Sequence, residues 1–222
     1  MGEDKEMYGK RSFIVTTLLD ILALLLAVSS AEAAVFRVNG ASTASAPDGR
    51  SWATAYTTIQ AAVDAAASGD EIWVAQGTYT ATTIGEDPSV VVLKAGISLY
   101  GGFTGAETAR QERGGIANRT TIDGENARRC LYAADRTAYV DSFTLQNGAA
   151  KNGAGMCNAT AAFCTFDKNV ASGSGGGLSD GEATNCIFSR NMAGAGGGMS
   201  GGKADYCTFT ENDAVFGGGV MY

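Results

Sequence analysis

Apolar and polar positions recur in a fixed order in the last third of the chain. One six-residue segment occurs three times, as residues 164–169, 186–191 and 207–212. Each copy is followed by three glycines and then an apolar residue, at Leu178, Met199 and Val220. The six-residue segment therefore recurs after 22 and then 21 residues. A fixed period of this length is the signature of a solenoid built from stacked repeats.

The pattern inside the repeat predicts strands rather than helices. Its cysteine and phenylalanine alternate, so both side chains lie on one face of a strand. The asparagine that follows suits a turn, and the glycine runs disfavour a helix. Stacked repeats would place equivalent residues in three interior columns. The columns are Cys164, Cys186 and Cys207; Phe166, Phe188 and Phe209; and Asn169, Asn191 and Asn212.

The length of the repeat indicates the fold class. At about 3.3 Å per residue, 21 residues span roughly 70 Å, which is enough for one coil of three short strands. We therefore predict an all-β protein, a right-handed parallel β-helix with coils of about 21 residues, whose stacked asparagines bond as a ladder. The right hand is taken from the fold class.

A helical pattern interrupts the strands only near the start of the chain. From Trp52 to Ala67, apolar residues recur at helical spacing, and Gly69 follows as a stop. We expect this helix to cap the first coil, whose strand edges would otherwise be open. Strands are predicted around it, and a polar connection is predicted over residues 101–118. The strands are Val35–Val38, Glu71–Ala75, Val90–Leu93 and Ile97–Tyr100.

Residues 1–33 have the pattern of a secretory signal peptide. Lys10 and Arg11 precede an apolar run, and small residues lead to Ala33. Asp20 interrupts the run, which is short for a membrane anchor, so we expect no membrane insertion of the mature domain. The predicted mature β-helix domain is 34–222, with the cap and first coils in 34–118 and regular coils in 119–222. We expect the sequence to be truncated, because a β-helix needs a terminal cap.

Composition excludes several function classes. The 222 residues include 31 glycines and no histidine, and the net charge is −7. The absence of histidine removes histidine-ligated metals and Ser-His or Cys-His catalysis. An acidic chain without a basic patch argues against binding nucleic acid.

The five cysteines are best interpreted as structural. An exported protein permits disulfides, yet an odd count leaves one thiol unpaired. A column of buried cysteines behaves as a set of small apolar side chains, and it lacks the converging geometry of a zinc site. We therefore predict no metal and no cofactor. In the turns beside the columns, Arg190 is expected to pair with Glu211.

Several segments resemble one family of bacterial proteins. They are Ser51–Tyr56, Ile59–Val63, Ser68–Ala75, Gly77–Tyr79, Ile97–Phe103 and Thr121–Gly124. These segments resemble surface proteins with right-handed parallel β-helix repeats, of the choice-of-anchor type. The Phe-x-x-Asn and Gly-Gly-Gly pattern resembles the repeats of polymorphic outer membrane proteins, which are autotransporter adhesins. The resemblance implies a secreted or cell-surface protein associated with the outer membrane. We expect it to be a structural, non-catalytic protein of the adhesin type that binds host or environmental glycans or surface proteins along its sides.

An enzyme is the alternative function. Polysaccharide lyases and glycoside hydrolases of the pectin-lyase-like class share this architecture, and their chemistry needs clustered carboxylates with a basic residue nearby. The candidates here are scattered along the sequence, so we predict no catalytic residue and place any such site outside this segment. They are Asp123, Glu125, Asp135 and Asp141, with Arg128, Arg129 and Arg136. A third possibility is self-association through the last coil.

Overall fold

A computed structural model describes residues 33–80 and 89–221 of the chain. The chain divides into two compact units, Met1–Ala33 and Ala34–Tyr222. Nearly all of the predicted signal peptide lies outside the described residues. The described part of the second unit is mostly β, so the prediction of a β-rich protein is confirmed.

The described residues contain twenty-one short strands and one α-helix. The strands of the first half are β1 (Val35–Val38), β2 (Glu71–Ala75), β3 (Gly77–Tyr79), β4 (Ser89–Leu93), β5 (Ser98–Phe103), β6 (Thr120–Asp123), β7 (Arg129–Ala133), β8 (Tyr139–Asp141), β9 (Thr144–Gln146) and β10 (Ala149–Ala150). Those of the second half are β11 (Met156–Cys157), β12 (Thr160–Ala162), β13 (Thr165–Asp167), β14 (Val170–Ala171), β15 (Leu178–Thr184), β16 (Ile187–Ser189), β17 (Met192–Ala195), β18 (Met199–Asp205), β19 (Thr208–Thr210), β20 (Asp213–Phe216) and β21 (Val220–Met221). The helix α1 is Ile59–Ala65, and 3-10 helices occupy Trp52–Thr54, Arg110–Glu112 and Gly115–Ala117.

The strands form three sheets in which the described pairs are parallel. One sheet has six strands in the order β19-β16-β13-β9-β6-β3, and another has the order β10-β14-β17-β20. The third has eleven strands, with the path β1-β2-β5-β8-β12-β15-β11-β7-β4 and the additional strands β18 and β21. This sheet has two arms, β1-β2-β5-β8-β12 and β4-β7-β11, and both pair with β15. Within β15, Leu178 pairs with β11 and Glu182 pairs with β12. Asp180 lies between them with a φ of 56°, which turns the strand from one arm to the other.

The register follows the sequence period. Phe166 pairs with Phe188, and Phe188 pairs with Phe209, so residues one period apart lie on adjacent strands. The inward side chains of the sheets meet in one main apolar cluster that runs from Phe36 to Met199. In the repeats, equivalent residues of successive copies therefore pair in parallel.

The N-terminal helix is present but shorter than predicted. It covers Ile59–Ala65 instead of 52–67, and the side chain of Thr58 caps it by accepting the amide of Ala61. Its predicted apolar face is buried and packs against β1, β2 and β4. Tyr56 cannot join the helix because its backbone bridges to Val38 as a strand. The carboxylate of Asp70 accepts the amide of Ala67, which fixes the chain after the helix.

The polar connection predicted over residues 101–118 begins later than expected. Gly101–Phe103 belongs to β5, because Phe103 is fully buried and pairs with Ala75. Across residues 33–80 and 89–221, no helix has the length and apolar character to span a membrane.

Candidate functional site: a groove beside one corner of the sheets

The predicted phenylalanine column is a continuous stack in the interior. The rings of Phe166 and Phe188 are 4.6 Å apart with planes 4° from parallel. The rings of Phe188 and Phe209 are 4.7 Å apart at 5°. A side chain at Gly177 would place its Cβ 2.7 Å from the ring of Phe188, so the glycine run leaves the space that the stack needs. This column is structural.

The predicted asparagine column is also internal. Asn169 and Asn191 are fully buried. The side-chain amide of Asn191 donates to the backbone oxygen of Phe166 at 2.9 Å and to the side-chain oxygen of Asn212 at 2.9 Å. These side chains form hydrogen bonds with one another and with the adjacent backbone, so the asparagine column is structural.

The cysteine column holds free thiols. Cys130, Cys164, Cys186 and Cys207 form no disulfide with one another, and the first three are buried. The amide of Cys164 donates to the sulfur of Cys186 at 3.4 Å. Hydrogen bonding with Cys164 raises the pKa of Cys186, and hydrogen bonding with Cys186 and burial raise the pKa of Cys207. Within the described residues, no group of three or more Cys, Asp or Glu side chains could hold a metal ion.

The ion pair predicted between adjacent turns has a different partner. Arg190 bonds Asp167 at 2.6 Å, one coil before it, whereas Glu211 was expected. The hydroxyl of Ser189 also donates to Asp167, at 2.8 Å. The prediction of an Arg190–Glu211 pair is therefore wrong.

The carboxylates considered for catalysis lie in separate surroundings. Asp123 accepts hydrogen bonds from the side chains of Gln146 and Asn147 and from the amide of Glu125. Burial alone would raise the pKa of Asp123, but these hydrogen bonds lower it below its ordinary value. Asp135 accepts the amide of Thr137 in a local turn. Both residues are thus explained by turn formation.

The arginines considered with them are likewise occupied locally. Arg128 lies 3.8 Å from Glu125. Arg129 donates to the backbone oxygen of Gly153, and Arg136 donates to that of Asp180. Among the seven candidates, Asp141 lies next to a cavity that the neighbouring Ser142 lines.

Two cavities adjoin on one side of the molecule. The larger has a volume of about 480 Å³ and the smaller about 250 Å³. Both are lined by Ile116, Ser142 and Phe163, so they form a continuous depression, which we call the corner groove. Arg110 and Arg113 line its first part, and Arg119, Thr144, Thr165, Asn185 and Ile187 line its second part.

The first wall of the corner groove is the segment after β5, which is tightly anchored. The carboxylate of Glu107 accepts the amide of Thr104 at 2.7 Å and the amide of Ala106 at 3.0 Å. Burial would raise the pKa of Glu107, but these bonds hold it below its ordinary value. Trp52 donates to the backbone oxygen of Glu107 at 2.8 Å. The wall is therefore a preorganised element.

Arg113 joins this wall to the sheet below. It bonds Asp141 at 2.8 Å and lies over the ring of Tyr100 at 5.2 Å. Asp141 is buried and also accepts the hydroxyls of Ser142 at 2.6 Å and Tyr139 at 3.1 Å. Burial and the charge of Asp141 raise the pKa of Tyr139. Asp141 is thus a buried carboxyl group at the edge of the groove, and it contacts Arg113, Ser142 and Tyr139.

The second wall is a row of residues at one corner of the sheets. Ser142, Phe163 and Asn185 line the groove, and Tyr206 continues the same row one coil beyond it; we call these four residues the corner column. Their φ angles are 63°, 51°, 53° and 53°, so all four are left-handed. The amides of the first three bond Ala162, Thr184 and Asp205 respectively, which stacks each on the next coil. Phe163 is 51% exposed and Tyr206 is 88% exposed.

The corner groove was not predicted from the sequence. The signal that could have found it is the position directly before each repeated cysteine, which reads Phe163, Asn185 and Tyr206. Beside the constant cysteine, two aromatic residues at a turn position are unusual. The wall from the β5 connection carries no such signal.

No family model matches the chain, and neither a curated protein nor a solved structure is significantly similar to it.

Proposed function

We propose that residues 34–222 form a right-handed parallel β-helix, with coils of about 21 residues and α1 across its first coil. Two observations support this: the strand pairs of the repeats join residues one sequence period apart, and the Phe and Asn columns run through successive coils. The right hand follows from the general rule that crossovers between parallel strands of one sheet are right-handed in about 98% of cases.

The function that the geometry supports best is glycan binding by a secreted or cell-surface protein of the adhesin type. The observation that carries it is the exposed ring of Phe163 between the two parts of the corner groove. Sugars present an apolar face that stacks on aromatic rings, and hydroxyls that bond polar side chains. Thr144, Thr165 and Asn185 lie beside the ring and provide such partners.

A panel of immobilised glycans, probed with the purified 222-residue chain, tests this proposal. We expect binding to at least one glycan class and its loss in the variant Phe163→Asn. Phe216→Asn is the matched control, because Phe216 is an exposed aromatic residue on β20, outside the groove. Binding to purified surface proteins but to no glycan, or equal loss in both variants, would refute the glycan-binding proposal.

Export through cleavage after Ala33 is part of the same proposal. The amide of Ala34 donates to the carboxylate of Asp70 at 2.8 Å. Cleavage of the peptide bond after Ala33 would turn this amide into a charged amino group beside the carboxylate of Asp70. Expression in a bacterium with an outer membrane, followed by N-terminal sequencing of the exported protein, should give a mature chain that starts at Ala34. A chain retained with residues 1–33 would contradict it.

A polysaccharide-cleaving enzyme is the second candidate, and the buried Asp141 beside Ser142 and the corner groove favours it. Each glycan that binds should be incubated with the chain and assayed for new reducing ends. Cleavage that is lost in Asp141→Asn would replace the binding function with an enzymatic one. Self-association through the last coil stays a prediction, which sedimentation velocity at several concentrations tests.

A further inference from the structure

The corner column carries two aromatic residues where the backbone disfavours them. A left-handed φ is unusual for any residue other than glycine, asparagine or aspartate, and a bulky residue there is a genuine outlier. Phe163 and Tyr206 adopt φ angles of 51° and 53° and expose their rings. Strained backbone of this kind clusters at functional sites.

The other corners of the sheets show that the fold itself does not ask for aromatic residues. A second left-handed column contains Asn147, Lys168, Arg190 and Glu211, and a third contains Asn158, Asp180 and Gly201. Each described member of those columns is polar or glycine. Among the described residues, neither Phe163 nor Tyr206 stacks on another aromatic ring. Packing therefore does not explain the two side chains.

The spacing of the two rings matches an extended polymer. Phe163 and Tyr206 are two coils apart, which corresponds to roughly 9.6 Å at the spacing of adjacent strands. This is close to the disaccharide repeat of an extended β-1,4-linked chain of pyranose sugars. In such a chain every second sugar presents the same face, so sugars i and i+2 can stack on the two rings.

The polar side chains beside the two rings also recur once per coil. Asn185 lies between the two aromatic residues, opposite the sugar between the two stacked ones. Thr144 and Thr165 face outwards on adjacent strands and pair directly, and Thr208 continues the row beyond Ile187. Side chains that repeat once per coil can bond the edge hydroxyls of successive sugars.

The charges favour a neutral glycan. Arg113 is paired with Asp141, Arg110 with Glu71, and Lys203 with Asp205 beside Tyr206. Arg119 is the one cation lining the groove that makes no ion pair within the described residues. With a chain charge of −7, a polyanionic glycan would be repelled overall.

We infer that the corner column is a linear binding track for a neutral β-1,4-linked glycan, which lies along the coil axis with alternate sugars on Phe163 and Tyr206. The inference rests on the proposed glycan-binding function and assigns its ligand class. It also requires that at least three consecutive sugars be bound together.

Calorimetric titration of the full chain with oligosaccharides of two, four and six sugars tests the track. The probes are β-1,4-linked oligomers of glucose, mannose and N-acetylglucosamine, with α-1,4-linked hexamers of glucose and galacturonate for comparison. For at least one β-1,4 series, we expect affinity to rise about tenfold or more from dimer to hexamer, since a stacked ring contributes on that order. The α-linked hexamers should bind at least about tenfold more weakly.

The variants Phe163→Asn and Tyr206→Asn separate binding from folding. Asparagine suits the left-handed backbone and already occupies this column at Asn185, so the melting temperature should stay equal or rise. Hexamer affinity should nevertheless fall about tenfold or more in each variant. Phe216→Asn is the control and should retain full affinity.

The possible failures are distinguishable. Absence of binding to any glycan would overturn both the proposed function and the track. Glycan binding that depends on neither chain length nor Tyr206, or that is equally strong for α-linked chains, would overturn the track alone. Preference for the galacturonate hexamer would overturn the assignment of a neutral ligand.

Discussion

The side-chain amide of Asn169 donates to the side-chain oxygen of Asn191 at 2.9 Å, and the backbone amide of Asn169 donates to the same oxygen at 3.1 Å. One oxygen thus satisfies two buried donors from the preceding coil. Because the side chain of Asn191 also donates to the backbone oxygen of Phe166, its removal would deprive both Asn169 and Phe166 of a hydrogen-bond partner.

The first prediction concerns this relationship. Asn191→Ala should lower the free energy of unfolding by about 2–4 kcal/mol, since an unsatisfied buried group costs about 1–3 kcal/mol. Urea unfolding followed by circular dichroism measures the change. The control is Asn152→Ala, because Asn152 is exposed and accepts one amide hydrogen bond, from Ser174. Equal shifts in the two variants would show that the ladder does not stabilise the fold.

The second prediction concerns the phenylalanine stack. Phe188 is fully buried between two parallel rings, so Phe188→Ala should cost about 3–5 kcal/mol through lost burial and a cavity. Phe216→Ala removes an exposed ring and should change stability by less than about 0.5 kcal/mol. Thermal unfolding of both variants checks this contrast, and a mild effect at Phe188 would contradict the interior stack.

The repeat pattern predicts the regular part of the fold because each of its positions has one physical role. The cysteine and phenylalanine positions face inwards, the glycine run allows close approach, and the asparagine closes the turn. Phe188 and Asn191 therefore occupy the columns that stacking requires. The N-terminal helix was predicted too long, because the pairing of Tyr56 with Val38 is a tertiary contact that local periodicity does not contain.

The corner groove could not be predicted for a similar reason. One wall depends on Gly102, which has a φ of 85° and approaches Gly115 so closely that a Cβ would lie 2.5 Å from its Cα. That approach brings Ile116 towards Phe163, although they are distant in sequence. The sequence also does not predict that Phe163 is exposed, because a phenylalanine beside a cysteine is expected in the apolar interior.

The third prediction concerns acid stability. The pKa of Glu107 lies below its ordinary value of 4.5 in the folded chain, so the unfolded chain binds a proton first as the pH falls. Its contribution to stability is complete above the unfolded pKa and is lost as the pH falls through the folded pKa. Urea unfolding between about pH 6 and pH 3 measures this loss. The difference in the free energy of unfolding between the native chain and Glu107→Gln should shrink as the pH falls.

The control for this measurement is Glu182→Gln. Glu182 is exposed on β15, and its side chain makes no hydrogen bond to the described residues. Its variant should follow the native chain at every pH. If Glu107→Gln differs from the native chain by the same free energy of unfolding at every pH, the pKa of Glu107 is not lowered by folding.

The fourth prediction concerns the thiols. Burial raises the pKa of Cys130, and hydrogen bonding with Cys164 raises that of Cys186, so both thiols are protonated as well as shielded near neutral pH. The thiolate is the form that alkylating reagents attack. Pulsed alkylation and mass spectrometry of the native chain at about pH 8 should therefore leave Cys130, Cys164 and Cys186 unmodified, whereas all five cysteines react in urea. Rapid labelling of Cys186 in the folded chain, at the rate of a small free thiol, would contradict an interior cysteine column.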